Sequence, residues 1–176
     1  MTASDAEDGA VTLVMRGLLH ELANITTAAD GVTSSLRHDG AAALPRAPED
    51  LSAVVDRLFA MHADLRSLLP DREGEMALDP RAVAAEVARL LAWHNERKLA
   101  VTVDEDPVPP ILDVPWKARR QLLAAVDAAA GDASAFRFSF RAEGDSVIAA
   151  SSDGVTFWSA PTLAAARRRE RDGRAG

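Results

Sequence analysis

Residues 11–36, VTLVMRGLLHELANITTAADGVTSSL, decide the fold. Their apolar positions Val11, Val14, Leu18, Leu22, Ile25, Ala29, Val32 and Leu36 recur at steps of three or four. With about 3.6 residues per turn, such positions form one stripe, so the stretch predicts a single long helix with a heptad seam. Gly40, Pro45 and Pro48 then interrupt the pattern, and His38 to Pro48 reads as a loop. A second seam follows at Leu51, Val54, Leu58, Met61, Leu65 and Leu68, which predicts a helical hairpin over residues 9–70. Two amphipathic helices cannot enclose a core, and Leu19, Val55 and Phe59 add apolar width outside the seams. The expected remedy is a four-helix bundle completed by a second copy of the chain about a two-fold axis, a homodimer.

Composition limits the rest. At 176 residues, 48% hydrophobic and 27% charged, the chain has the make-up of a folded water-soluble protein of one moderate or two small domains. Zero cysteines exclude a disulfide framework and remove the usual zinc-finger ligands, in keeping with a reducing compartment. Met1 to Gly9 is acidic and lacks the basic-then-apolar order of a signal peptide, and no apolar run approaches the roughly 20 residues of a membrane span. A cytoplasmic protein with no membrane association is expected. The net charge of −7 argues against nucleic-acid binding, and the basic end, Arg167, Arg168, Arg169, Arg171 and Arg174, reads as a solvated terminus.

Pro70 to Ala77 reads as a polar linker, after which Asp79-Pro80 opens a helix with a capping aspartate and a proline at its first position. A second unit over 78–170 is expected from there. Its predicted order is a helix from Pro80 to Arg97, a strand from Leu99 to Val103, a proline-rich loop, and a helix from Pro115 to Ala130. Strands around Phe136 to Arg141 and Ser146 to Ser151 come next, then a last helix from Pro161 to about Arg169. Phe136, Phe138 and Phe140 alternate with Arg137, Ser139 and Arg141, the pattern of a sheet with one covered face. The fold class is therefore α+β, a hairpin followed by a small two-layer α/β unit.

The chemistry concentrates at Gly17 to Asn24. His20 lies two residues from both Leu18 and Leu22, about 200° around an ideal helix from each, so it points away from the seam into solvent. Asn24 is one turn further on the same face, and Glu21 is adjacent in sequence. A nucleophilic imidazole needs one nitrogen free to attack and gains from a base that handles the proton on the other. Glu21 can serve as that base, and Asn24 can orient a water or a phosphoryl oxygen through its carboxamide. Gly17, one turn before His20, is read as leaving an open approach for a docking partner. His20-Glu21-Leu22-Ala23 also begins like the zinc-protease motif, but the fifth position is Asn24 where a second histidine is required. His38, His62 and His94 lack such neighbours and read as structural.

Leu18 to Leu36 resembles the histidine box of bacterial sensor histidine kinases, in the His-Glu-x-x-Asn form. The resemblance implies a dimerising antiparallel hairpin, His20 as phospho-acceptor, Glu21 as its acid/base neighbour, and Asn24 at the position linked to dephosphorylating the partner. The proline common after that asparagine is replaced by Ile25. From Asp79 onward the order of elements, with Leu90-Leu91-Ala92-Trp93-His94, Val101-Thr102-Val103-Asp104 and Gln121-Leu122-Leu123, is similar to the ATPase domain of those kinases. There, two asparagines four apart hold magnesium and phosphates. Aligning Ala125-Val126-Asp127-Ala128 with the end of that motif puts Arg120 and Ala124 in their places, and neither can ligate magnesium. The glycine loops are missing or degraded, and Ser152-Asp153-Gly154 reads as a tight turn.

The resemblance thus implies a histidine phosphotransferase on a degenerate kinase, or pseudokinase, scaffold. It would act without ATP and without a cofactor of its own, in a two-component phosphorelay. Its partner would be a response-regulator receiver domain, which brings the magnesium. Two alternatives share the scaffold: a receiver phosphatase using Asn24, and a non-catalytic pseudokinase that binds and inhibits a kinase or response regulator.

Overall fold

A computed structural model describes residues 3–70, 74–93, 99–104 and 106–174. Helix α1 spans Ala3–Asp39 and begins well before the seam, with Asp5 in its first turn against the positive end of the helix dipole. Thr12, Thr26, Thr27 and Thr33 each donate their hydroxyl to the carbonyl four residues back, which satisfies these polar groups within the helix. The expected loop is shorter than its prolines suggested. A single 3₁₀ turn, Gly40–Ala42, leads into helix α2, Ala47–Leu68. Pro48 belongs to the first turn of α2, where a missing N–H leaves no helical bond unmade.

The remaining elements are β1 Met76–Leu78, α3 Pro80–Leu91, β2 Ala100–Val103, β3 Ile111–Asp113, α4 Pro115–Ala130, β4 Ala135–Glu143, β5 Ser146–Ser151, β6 Thr156–Pro161 and α5 Leu163–Arg174. The chain is α+β, with a long first helix and a small mixed sheet. Three strands depart from the expected order. β1 lies in the stretch read as a linker, β3 ends the proline-rich loop, and β6 precedes the last helix; β1 and β3 pair antiparallel, Met76 opposite Asp113. Helix α3 is described only to Leu91 and the turn after it. The end expected at Arg97, and His94, lie outside the described residues.

Asp79 caps α3 by accepting the Arg81 backbone N–H at 3.0 Å. Its carboxyl is held below the usual carboxylate range, first by the Arg81 side chain and then by that backbone bond. The cap's contribution is therefore complete above the ordinary carboxylate pKa and is lost only as pH falls through the lowered value.

In the larger sheet the strand order is β2-β4-β5-β6, with β2 parallel to β4 and the other pairs antiparallel. Gly144, at φ 58°, forms the β4–β5 turn with Asp145, between the paired residues Glu143 and Ser146. Phe138 and Phe140 are buried as the alternation predicts, and Phe138 meets Phe140 and Phe157 edge-on at 5.4 Å. The inner strand β5 breaks the one-covered-face pattern, because Val147, Ile148, Ala149 and Ala150 are all buried.

The hairpin is built into this core. Ala10, Val14, Leu18 and Leu68 join one apolar cluster with Val87, Leu90, Leu122, Val126 and the sheet phenylalanines. The first half of the α1 seam thus packs on α4, and this corrects the reading of the whole seam as a bundle interface. Polar ties mark the same contact. Arg120 pairs with Asp8 of α1, while Arg119 donates to the Ser67 carbonyl at 3.2 Å and pairs with Glu86. Asp64 of α2, with only 3% of its side chain exposed, accepts Arg89 Nε at 2.6 Å and Trp93 Nε1 at 2.7 Å.

Asp64→Ala removes a charged acceptor and strands the Trp93 N–H, a change expected to cost about 2–3 kcal/mol. Urea denaturation should show the midpoint falling accordingly, with a smaller fall for Arg89→Ala because its guanidinium is already half in water.

Candidate functional site

Leu18 faces the core while Leu19 and His20 turn outward, so the histidine sits where α1 leaves the α4 contact. No hydrogen bond reaches the His20 ring among the described residues. The α1 helix runs on unbroken past Ile25, which is buried at the position where the resemblance expects a proline.

Glu21 is half-buried and does not stand free beside the imidazole. Its Oε1 is in close contact with Arg57 Nη2 of α2, and its Oε2 accepts Asn24 Nδ2 at 3.3 Å. The carboxylate therefore joins the two helices of the hairpin and holds the carboxamide that follows His20 by one turn. Gly17 differs from the expectation: it is buried, so it forms no open approach to His20. His38 and His62 are exposed, and neither lies in a metal-binding group; among the described residues no cluster of three or more histidines and carboxylates could hold a metal.

Arg57 and Asp64 escaped the sequence reading. Arg57 carried no signal, since its partner lies 36 residues away. Asp64 carried one, because it follows Met61 by three and precedes Leu68 by four, which puts a lone acid on the apolar face of α2.

The face of α4 that carries Arg120 and Ala124 is occupied by α1. Arg120 pairs with Asp8 and lies 5.9 Å from the Trp116 ring centre, while Ala124 is buried. Beyond it, a cleft of about 400 Å³ is lined by Ala125, Ala128 and Ala129 of α4 and by Asp153, Val155 and Phe157. Asp153 is turned inward on its own loop. It accepts the Ser151 hydroxyl and the Val155 N–H, and the Ser151 bond leads in holding its carboxyl below the usual range. Three alanines and a self-satisfied aspartate offer nothing to a magnesium–triphosphate, so these residues do not fit the nucleotide.

No protein-family model matches the chain, and no curated protein matches it. Among solved structures it overlaps the Acinetobacter baumannii histidine kinase AdeS, with 18% identity over 75% of this chain and 71% of that one, at a TM-score of 0.35. A likeness at that level carries no argument about any residue here. No helix among the described residues is long and apolar enough to cross a membrane.

Calorimetry with ATP and magnesium is expected to give no binding heat. Asparagine at both Arg120 and Ala124 should not restore it while α1 remains docked; micromolar affinity in either protein would show that the α4 face is open.

Proposed function

We propose that this chain is a histidine phosphotransfer protein of a two-component phosphorelay. The observation that carries the reading is the His20 imidazole, exposed and without a hydrogen-bond partner among the described residues, on α1 with Glu21 next in sequence and Asn24 one turn further on. A receiver aspartyl phosphate brings its own magnesium, so a chain with no magnesium ligand at Arg120 or Ala124 is still chemically sufficient. One ring nitrogen attacks phosphorus in line, the N–P bond forms, and the acyl P–O bond breaks to release the aspartate as a carboxylate. The proton on the other nitrogen passes to Glu21 or to water.

The same reading includes a hairpin unit over 9–70, an α/β unit over 78–170, and a homodimer. Its support is an apolar face on the hairpin that the chain itself leaves bare: Leu19 is 61% exposed and Phe59 68%, with Leu51, Val55 and Leu58 alongside. Large exposed apolar patches mark association sites, and a symmetric second copy covers this one with no new sequence.

A second reading, receiver phosphatase, is favoured by one observation. The Asn24 amide nitrogen is tied to Glu21, which leaves its carbonyl oxygen as the group able to orient a water.

Incubation with phosphorylated receiver domains is expected to label the wild type and not His20→Ala. Glu21→Ala should slow transfer by about 10²–10⁴-fold, the range of acid/base groups, while Asn24→Ala spares transfer and alters hydrolysis. If receivers neither donate phosphate nor lose it faster, a binding-only pseudokinase becomes the better account. Light scattering should return a dimer mass at micromolar concentration for the wild type and a monomer for Phe59→Asp.

A further inference from the structure

Nothing in the proposed chemistry assigns a part to α2, yet α2 reaches the site through a single cation. Arg57 contacts Glu21 Oε1 across the hairpin, while Glu21 Oε2 holds Asn24 Nδ2 at 3.3 Å. The three side chains form a chain of contacts, Arg57 to Glu21 to Asn24, whose last two members are the residue after His20 and the residue one helical turn beyond it. Glu21 retains 14% of its side-chain exposure and Arg57 51%, so the carboxylate is sheltered while the guanidinium reaches solvent.

We infer that Arg57 is a positioning residue of the His20 face: it fixes the Glu21 carboxylate and, through it, the orientation of the Asn24 carboxamide. The inference rests on the phosphotransfer reading for its consequence, but not for its geometry. A carboxylate with one oxygen on a guanidinium and the other on an amide has little rotational freedom left, and both groups that could assist His20 are set together. Without Arg57, Glu21 is free to turn toward solvent, and Asn24 loses the acceptor that orients it. A half-exposed ion pair contributes little to folding. Its loss should therefore appear at the site and not in the melting temperature.

Two measurements on the whole 176-residue chain test this. The first needs no activity: the Asn24 side-chain amide is followed by nitrogen-15 NMR in the wild type, Arg57→Met, Glu21→Gln and the double variant. Arg57→Met is expected to move the Asn24 amide in the same direction as Glu21→Gln, with no further movement in the double variant, and Arg57→Lys should restore most of the wild-type position. The second is receiver-to-protein transfer in the same set. Arg57→Met should lower the transfer rate about tenfold, below the ~10²–10⁴-fold of a direct acid/base group, and should have no effect once Glu21 is glutamine. An Asn24 amide that does not respond to Arg57→Met, or a transfer defect of equal size in both Glu21 backgrounds, overturns the inference. A wild type that takes up no phosphate sinks the phosphotransfer reading instead, and the NMR series still decides the role of Arg57.

Discussion

The buried carboxylate of Asp64 sets the geometry on which the rest depends. Burial of Val14, Leu18 and Leu68 against α4 and its neighbours favours docking of the hairpin, but apolar contacts tolerate sliding. A carboxylate withdrawn from water does not, because it must meet donors or stay hydrated. Asp64 meets two, the Arg89 guanidinium and the Trp93 indole, both on or just beyond α3. Only one register of α2 on α3 satisfies it. The two bonds offset desolvation more than they add net stability, so the apolar contacts supply the affinity of the joint and Asp64 its specificity.

Once that register is set, the α1 seam is divided. Its first half, through Leu18, packs on α4; beyond it Leu22 is exposed while Ile25 is buried again. His20 lies just past the half that packs on α4, on the outward side of the helix. The backbone there is held by the docked half, while the imidazole faces open space. A reactive side chain needs this combination, with its supporting residues locked and its own approach clear. Burial of Gly17 belongs to the supporting half.

Long elements were legible because their periods repeat. The hairpin, α4, β4 and β5 each offered several turns or alternations, and Asp79-Pro80 marked the start of α3 with a cap that the structure retains. The strands β1 and β3 have three residues each, too few to show a period, and their pairing joins segments about 35 residues apart. In β6, Phe157-Trp158 places two aromatics in succession, beside a register shift at Ala149/Ala150, and the alternation that would reveal a strand is lost. At the site, the exposure of His20 followed from spacing alone. The Glu21–Arg57 pair did not, because it depends on how two helices meet and not on any local pattern.

The α4 face that carries Arg120 and Ala124 is a packing surface for α1. An alanine on the exposed side of a helix leaves a shallow apolar position that another helix can cover. Ala124 is buried here, and Asp5 to Arg16 of α1 runs beside it, with Ala10 and Val14 in the shared core. Arg120 needs an anion, and Asp8 supplies one from the same helix. Ala124 and Arg120 are thus complementary to α1 in shape and in charge. A face with these residues is better suited to holding a helix than a nucleotide, and its use in that way ties the α/β unit to the helix that carries His20.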